Sequence, residues 1–440
     1  MADIAPIRGL TYDATRVDVA RVIAPPYDVI SEEERVALEA QDPYNVVRID
    51  LPRGEGDAKY PAAAKILADW RKEGIVRRDD QPALYRYHQI YRIAELGDRD
   101  IVRRGFIAAG RLHPYDDAIV KPHERTLRGP KEDRLKLMRA TRAHFSQIFT
   151  LYSDPQRATD QAFAAAEELP PGLEGKTADG TLHRVWRVTD APTIQRVQEL
   201  MRDKALYIAD GHHRYETMLA LREEIRAEAG GSPRPRASTE FGTYFMANMD
   251  DPGLVVLPTH RLLHAVPGFT LDKLIDGART WFDVDVLAGA AKDAARVRAA
   301  LADGARRRPT LAIVAPGKDD VWVLGLKVAP TDTGLTGHAS LLSLDVTLLH
   351  GLLFERLLGI DREAQAKQSH LEYVKDTKKA LDAIAAGKAQ VGFLLHPTRV
   401  DQVRDVADAG EVMPQKSTFF YPKIASGLVM NPLDPTEDLK

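Results

Sequence analysis

The chain has 440 residues, 44% hydrophobic and 28% charged, with 61 basic and 64 acidic residues for a net charge of −3. That is the make-up of a soluble globular protein long enough for two or three domains, with no overall basic field to attract nucleic acid. It contains no cysteine, which excludes disulfides, thiolate nucleophiles and cysteine-ligated zinc or iron–sulfur centres.

Residues 1–30 read as irregular, with Ala24–Ile30 held extended by Pro25 and Pro26. Ser31 followed by three glutamates predicts a capped helix to about Glu39, and a second helix runs from Ala62 to Lys72. Ala83–Tyr91 alternates and is rich in aromatics, so it predicts a strand, with Val102–Arg111 as its hairpin partner. A polar stretch, Val120–Arg134, leads into a helix ending near Arg142, and Phe145–Tyr152 predicts another strand. A strand at Arg184–Val188 and a helix at Thr193–Arg202 precede the most informative segment, Tyr207–Thr217.

In that segment an apolar strand stops at Asp210-Gly211, two histidines and Arg214 follow, and a helix begins. A strand, a glycine turn and a helix start present backbone N–H groups and a positive helix end to an anion. Phosphate is the first ligand to consider. Asp-Gly alone is a common turn; the pair His212-His213 beside Arg214 in a turn moves the balance towards function.

Residues 229–240 form a Gly/Pro-rich loop. Phe241–Met249 and Leu254–Pro258 are expected to pair through a turn at Asp250–Gly253, leading to His260-Arg261. Beyond them come helices at 271–282 and 289–303 and strands at Leu311–Val314 and Val321–Leu326. Leu342–Leu358 predicts one strongly apolar helix. A helix at 375–386, a strand Val391–His396 and a helix 398–407 precede the loop Lys416-Ser417-Thr418. Strands and helices mix without a βαβ rhythm, so the fold class is α+β, with mixed sheets and flanking helices. Four regions are expected: 1–105, N-terminal α+β; 106–265, anion-binding; 266–340, a small α+β subdomain; and 341–440, a helical and α+β region bearing the Lys416–Thr418 loop.

Three further clusters carry candidate chemistry. In Lys121–Thr126, Glu124 stands among cations and is suited to accept a proton from an attacking hydroxyl. A solvated loop of self-paired charges is the bland alternative. Arg261 ends an apolar strand, and Lys416, Ser417 and Thr418, with Lys423 and framed by Pro414 and Pro422, bring hydroxyls and cations into a rigid loop fit for phosphate or carboxylate. No Walker loop, dinucleotide fingerprint, protein-kinase signature or His-Glu-x-x-His spacing occurs. No apolar run reaches the length of a membrane span, and Met1–Pro6 shows no signal-peptide pattern, so the expected location is the cytoplasm.

Ala24–Val29, Pro122–Thr126, Asp133-Arg134, Ala209–Tyr215, Pro258–Arg261, Leu344-Asp345 and Met413–Thr418 stand in this order along the chain. Together they resemble the bacterial and archaeal family catalogued as domain of unknown function 1015, from about Ala24 to Gly427. The Gly-His-His-Arg turn is similar to the phosphate-binding turn of the ParB/sulfiredoxin superfamily, which includes free-serine kinases of cysteine biosynthesis. In those kinases a glutamate in a His-Glu segment upstream of the turn is the base, and His123-Glu124 stands in that place. The resemblance implies a ParB/sulfiredoxin-like core with additional α+β subdomains. It also implies phosphoryl transfer to the hydroxyl of free L-serine, with pyrophosphate as donor in some relatives and ATP or ADP as other candidates. Sulfiredoxin chemistry needs a cysteine in the turn, and the chain has none; ParB partitioning needs a helix-turn-helix after the turn, where no clear one is seen and the near-neutral charge balance argues against it.

On that reading Glu124, His213 and Arg214 are catalytic. Asp210, Gly211, His212, His213 and Arg214, with Lys416, Ser417 and Thr418, bind phosphate. His123, Arg125 and Arg261 hold substrate. Mg²⁺ is expected from the chemistry, with its ligands unassigned. The partners are small molecules, not nucleic acid or membrane. A nucleotide-binding switch, a phosphatase or hydrolase using the same anion site, and a non-catalytic scaffold are the alternatives.

Overall fold

The computed structural model describes residues 1–97, 99–126, 128–231 and 234–440, with the backbone alone for residues 128 and 130. Leu127 of the polar stretch and Ser232-Pro233 of the expected loop lie outside the described residues. The chain gathers into two compact units. The first comprises residues 1–122, 126–255 and 422–440, and the second residues 123–125 and 256–421. These units cut across the four regions expected from sequence.

Among the described residues of the first unit, nine strands form one mixed sheet. They are β1 (Ile4–Ala5), β2 (Leu84–Tyr91), β3 (Ile101–Arg111), β4 (Val120–Lys121), β5 (Ile148–Tyr152), β6 (Leu173–Lys176), β7 (Leu182–Val188), β8 (Leu206–Asp210) and β9 (Phe241–Asn248). The order is β4-β8-β5-β9-β3-β2-β7-β6, with β1 also on β3. β8 runs parallel to β4 and antiparallel to β5, and the β8–β5 register shifts between Ile208 and Asp210. The aromatic strand β2 pairs antiparallel with β3, as its alternation predicts.

β9 departs from expectation. It pairs with β3 and β5 instead of forming a hairpin with 254–258. The Asp-Asp-Pro-Gly turn is there, but all eight residues of β9 are buried, so the strand belongs in a sheet centre. The turn itself is pressed against β3: a Cβ at Gly253 would lie 1.9 Å from the Val102 carbonyl oxygen.

Three helices, α2 (Arg128–Thr141), α3 (Ala191–Met201) and α4 (His212–Glu228), pack on this sheet, and α1 (Lys59–Lys72) packs in a second core with Leu10, Tyr12, Val76 and Leu137. Tyr215, Met218, Leu221 and Ile225 of α4 share a core with Met138 of α2, Val197 and Met201 of α3, and Ile148, Ile208 and Tyr244 of the sheet. Ser31 caps the helix Glu32–Gln41 through a capping box with Glu34. Tyr27–Val29, expected to be extended, is a short 3₁₀ turn.

Six antiparallel strands make the sheet of the second unit among the described residues. These are β10 (His260–Leu263), β11 (Phe282–Leu287), β12 (Thr310–Val314), β13 (Val321–Leu326), β14 (Leu371–Val374) and β15 (Val391–Leu395), in the order β11-β13-β12-β15-β10-β14. The expected helix 271–282 stops at Ala278, because Phe282-Asp283-Val284-Asp285-Val286 alternates with period two and forms β11.

The single apolar helix expected at 342–358 is broken. Leu344 is extended (φ −83°, ψ 132°), a short helix covers Asp345–Leu348, and Leu349–Leu357 continues as a π-helical run. Apolar composition fixes burial but carries no information about helical pitch.

Four enclosed histidines are held neutral. Burial lowers His144, His260 and His350 to about 3 and His183 to about 4. An unfolded chain protonates them near pH 6.5, so below that pH unfolding takes up protons and stability falls with falling pH. Each histidine contributes a slope of up to about 1.4 kcal/mol per pH unit. Asp345, raised to about 6 by burial, opposes one of them below that value, since the folded chain binds its proton first. Urea midpoints are therefore expected to drop between pH 7 and pH 5, with proton uptake on unfolding; an unchanged midpoint contradicts this.

Candidate functional site

β8 delivers Asp210 at the end of a buried run, and Gly211 turns the chain into α4. Gly211 adopts φ +97° and ψ 28°, a region that residues with a Cβ avoid. A Cβ there would also lie 3.0 Å from the guanidinium of Arg214. Gly211 offers no side-chain cap, and the first turn of α4 has no acidic residue. The positive helix end is therefore answered by neither a side-chain cap nor a first-turn acid, the condition in which a helix start suits an anion.

Charge around this turn is organised by Asp210. Its Oδ2 accepts from Arg214 Nη2 at 2.6 Å, and its Oδ1 accepts from Lys423 Nζ. Arg214, 3% exposed, also donates to the carbonyl of Gln147. Burial alone would raise the Asp210 carboxyl, but Lys423 and Arg214 outweigh it and hold the group well below the usual carboxylate range. One fixed negative charge thus faces two positive ones, which leaves the turn cationic.

Lys423 is aimed from behind. Gln89 Nε2 donates to the Lys423 carbonyl at 2.9 Å, and Arg103 Nη2 donates to the Pro422 carbonyl at 2.5 Å. Arg103 is wholly buried, lies 4.7 Å from the Phe149 ring and is lowered to about 10 by burial. On another side, Tyr27, Asp50, Arg134 and Ser146 line a cavity of about 20 Å³ together with Arg214, room for a water molecule. Arg134 pairs with Asp50 at 3.3 Å and stacks on Tyr27 at 4.2 Å. Three of the sequence blocks, those of Tyr27, Arg134 and Arg214, therefore meet in the first unit.

The second unit assembles most of the remaining candidates. His123 Nε2 and Thr418 Oγ1 are 2.9 Å apart, and Met413 N donates to the His123 carbonyl at 2.8 Å. Arg261, 1% exposed, donates to the carbonyls of Thr259 and Lys416, the latter at 3.0 Å, and lies over Tyr373 at 5.4 Å. Burial lowers Arg261 to about 10, against the opposing fields of Tyr373, Asp345 and Glu124. Ser417 is buried and donates to the Pro414 carbonyl at 2.5 Å, whereas Lys416 is exposed with φ +57°. Arg125 is exposed and Glu124 half-buried. Asp210 to Arg214 thus lie in the first unit, and His123, Glu124, Arg125, Arg261 and Lys416 to Thr418 in the second. Arg261, Ser417 and Thr418 hold the loop together more than they face outward.

The sequence groups Lys423 with the Lys416–Thr418 loop and not with the turn, and it gives Asp50 no role. Lys423 lies 213 positions from its partner Asp210, and no local spacing encodes that pairing. A lysine flanked by aromatic and proline residues in a short strand end was the one available signal. Among the described residues no group of three or more His, Asp or Glu gathers in a way that could hold a metal ion. Nor is any helix among them long and apolar enough to cross a membrane.

The fold and the turn define an α+β protein of mixed sheets with a cationic strand–turn–helix at one strand end. The chain belongs to the family described as "Protein of unknown function (DUF1015)", whose model matches residues 4–347. No curated protein matches it. Among solved structures it is similar to a free serine kinase in complex with AMP, at 14% identity and TM-score 0.33 over 73% of this chain and 88% of that one. It is also similar to a conserved hypothetical protein from Pyrococcus furiosus, at 14% identity and TM-score 0.32 over 70% and 90%. A third is SbnI with a C-terminal truncation from Staphylococcus aureus, at 9% identity and TM-score 0.36 over 74% and 87%.

Gly211→Ala is expected to cost roughly 1–3 kcal/mol, from the left-handed backbone and the approach to Arg214. Chemical denaturation measures it; a change within about 0.5 kcal/mol would mean that the turn relaxes freely.

Proposed function

We propose that the protein is a cytoplasmic small-molecule phosphotransferase that moves a phosphoryl group from ATP, ADP or pyrophosphate to the hydroxyl of free L-serine. The observation that carries this reading is the Gly211 turn, an uncapped helix start beside Arg214 and Lys423. The chemistry of phosphoryl transfer asks mainly for positioned positive charge, which such a turn supplies. Its likeness to the phosphate-binding turn of the ParB/sulfiredoxin superfamily supports the same reading, and the cysteine-free sequence needs no oxidising compartment.

In the proposed reaction the serine oxygen attacks phosphorus, a new P–O bond forms and the bond to the leaving phosphate breaks. ADP leaves from ATP, AMP from ADP, or orthophosphate from pyrophosphate. Gly211, His212, His213 and Arg214 hold the transferring group, and Glu124 accepts the hydroxyl proton. Arg125 and Lys416, both exposed, serve the donor's remaining phosphate or the substrate carboxylate. Asp210 keeps Arg214 and Lys423 in place. With no protein-built metal cluster among the described residues, Mg²⁺ would arrive on the donor's phosphates with most of its water.

Mass spectrometry of the protein incubated with L-serine, Mg²⁺ and each donor in turn is expected to show phosphoserine with at least one. Absence of product with all three sinks the reading. Glu124→Gln is expected to lower turnover at least about a hundredfold; near-normal turnover removes Glu124 from its role.

A further inference from the structure

The second unit holds a cavity of about 250 Å³ that no role above uses. Asp345 opens into it, one of the sequence blocks without an assigned task. Arg306, Arg308 and Arg399 line it too, with the hydroxyl residues Ser340 and Ser343. Asp345 is held by two backbone N–H groups, those of Val346 at 2.6 Å and of His396. Arg261 and Arg399 act on it through their fields, without a contact ion pair among the described residues. A part-buried carboxylate that lines a cavity with no cation in contact with it leaves a place for a positively charged ligand group.

The arginines are different. Arg306 and Arg307, which also lines the cavity, share Asp303 at 2.7 and 2.5 Å, Arg308 meets Asp283 at 2.5 Å and Arg399 meets Asp401 at 3.0 Å. These pairs are exposed, so a ligand carboxylate can join them at little cost. Because acids answer the arginines, the cavity has no large excess of positive charge for a polyanion. Its size is below that of pockets for drug-sized ligands. A small molecule carrying both charges fits: cation inward on Asp345, anion outward on the arginine rim.

We propose that this cavity binds a small zwitterionic α-amino acid, with its ammonium group on Asp345 and its carboxylate on Arg399 and Arg306. Its service as the acceptor site rests on the phosphotransferase reading, and the same unit carries Glu124, whose field reaches Arg261 together with that of Asp345. Binding itself needs neither donor nor turnover.

Isothermal titration of the full chain without any donor tests it. L-Serine is expected to bind one to one. N-acetyl-L-serine, which lacks the ammonium group, and L-serinamide, which lacks the carboxylate, are each expected to bind at least about tenfold more weakly. Asp345→Asn, which keeps an acceptor oxygen for the Val346 N–H and removes the charge, is expected to show the same loss for L-serine while staying folded. If that variant fails to fold, Arg399→Gln on the exposed rim is expected to weaken serine several-fold. No serine binding, equal binding of N-acetyl-L-serine, or pyrophosphate that displaces serine and binds Asp345→Asn more tightly overturns the proposal. Serine binding that depends on Asp345 without phosphoserine formation sustains it while removing the phosphotransferase reading.

Discussion

Asp210 is a carboxylate withdrawn from water and answered by two cations, Arg214 four residues onward and Lys423 far along the chain. An enclosed charge persists only when it is paired and hydrogen-bonded. The rest of the turn follows from that requirement. Arg214 must fold back over the start of its own helix, so its guanidinium lies 3.0 Å from where a Cβ at position 211 would sit, which favours glycine there. Lys423 must be delivered accurately, and the buried Arg103–Gln89 pair grips the backbone that carries it. The surplus of one positive charge makes the surface of the turn a place for anions.

Local chemistry was legible in the residues. The strand, glycine turn and helix of 206–228, the Ser31 capping box and the β2–β3 hairpin each follow from side chains a few positions apart. Long-range choices were not. β9 looked like half of a hairpin because Asp250–Gly253 is a sound turn, yet burial on both faces sends it to the sheet centre. The 266–340 segment looked self-contained, but β12 has β15 as a neighbour and β10 completes the same sheet. Of the site, the 210–214 turn could be read directly, whereas the pairing of Lys423 with it could not, because a partner 213 residues away leaves no periodic trace.

The second unit shows how a buried arginine can organise a loop without touching ligand. Arg261 ties the carbonyls of Thr259 and Lys416 and rests on Tyr373, so the 414–418 loop is braced from inside. Ser417 and Thr418 turn inward to Pro414 and His123, which leaves Lys416 as the outward member. Nearby in sequence to the extended residue Leu344, the π-helical run from Leu349 gives a wider pitch, a departure often found beside functional residues.

The first unit is discontinuous: residues 422–440 complete it, and all of 256–421 intervenes. Met430 is bonded in both directions to Leu10, and Asn431 pairs with His144. On a ribosome, where segments emerge from the N-terminus onward, the larger unit waits unfinished while the smaller one is made. Until Lys423 leaves the exit tunnel, Asp210 has half its counter-charge, so a nascent or prematurely terminated chain has no complete anion turn.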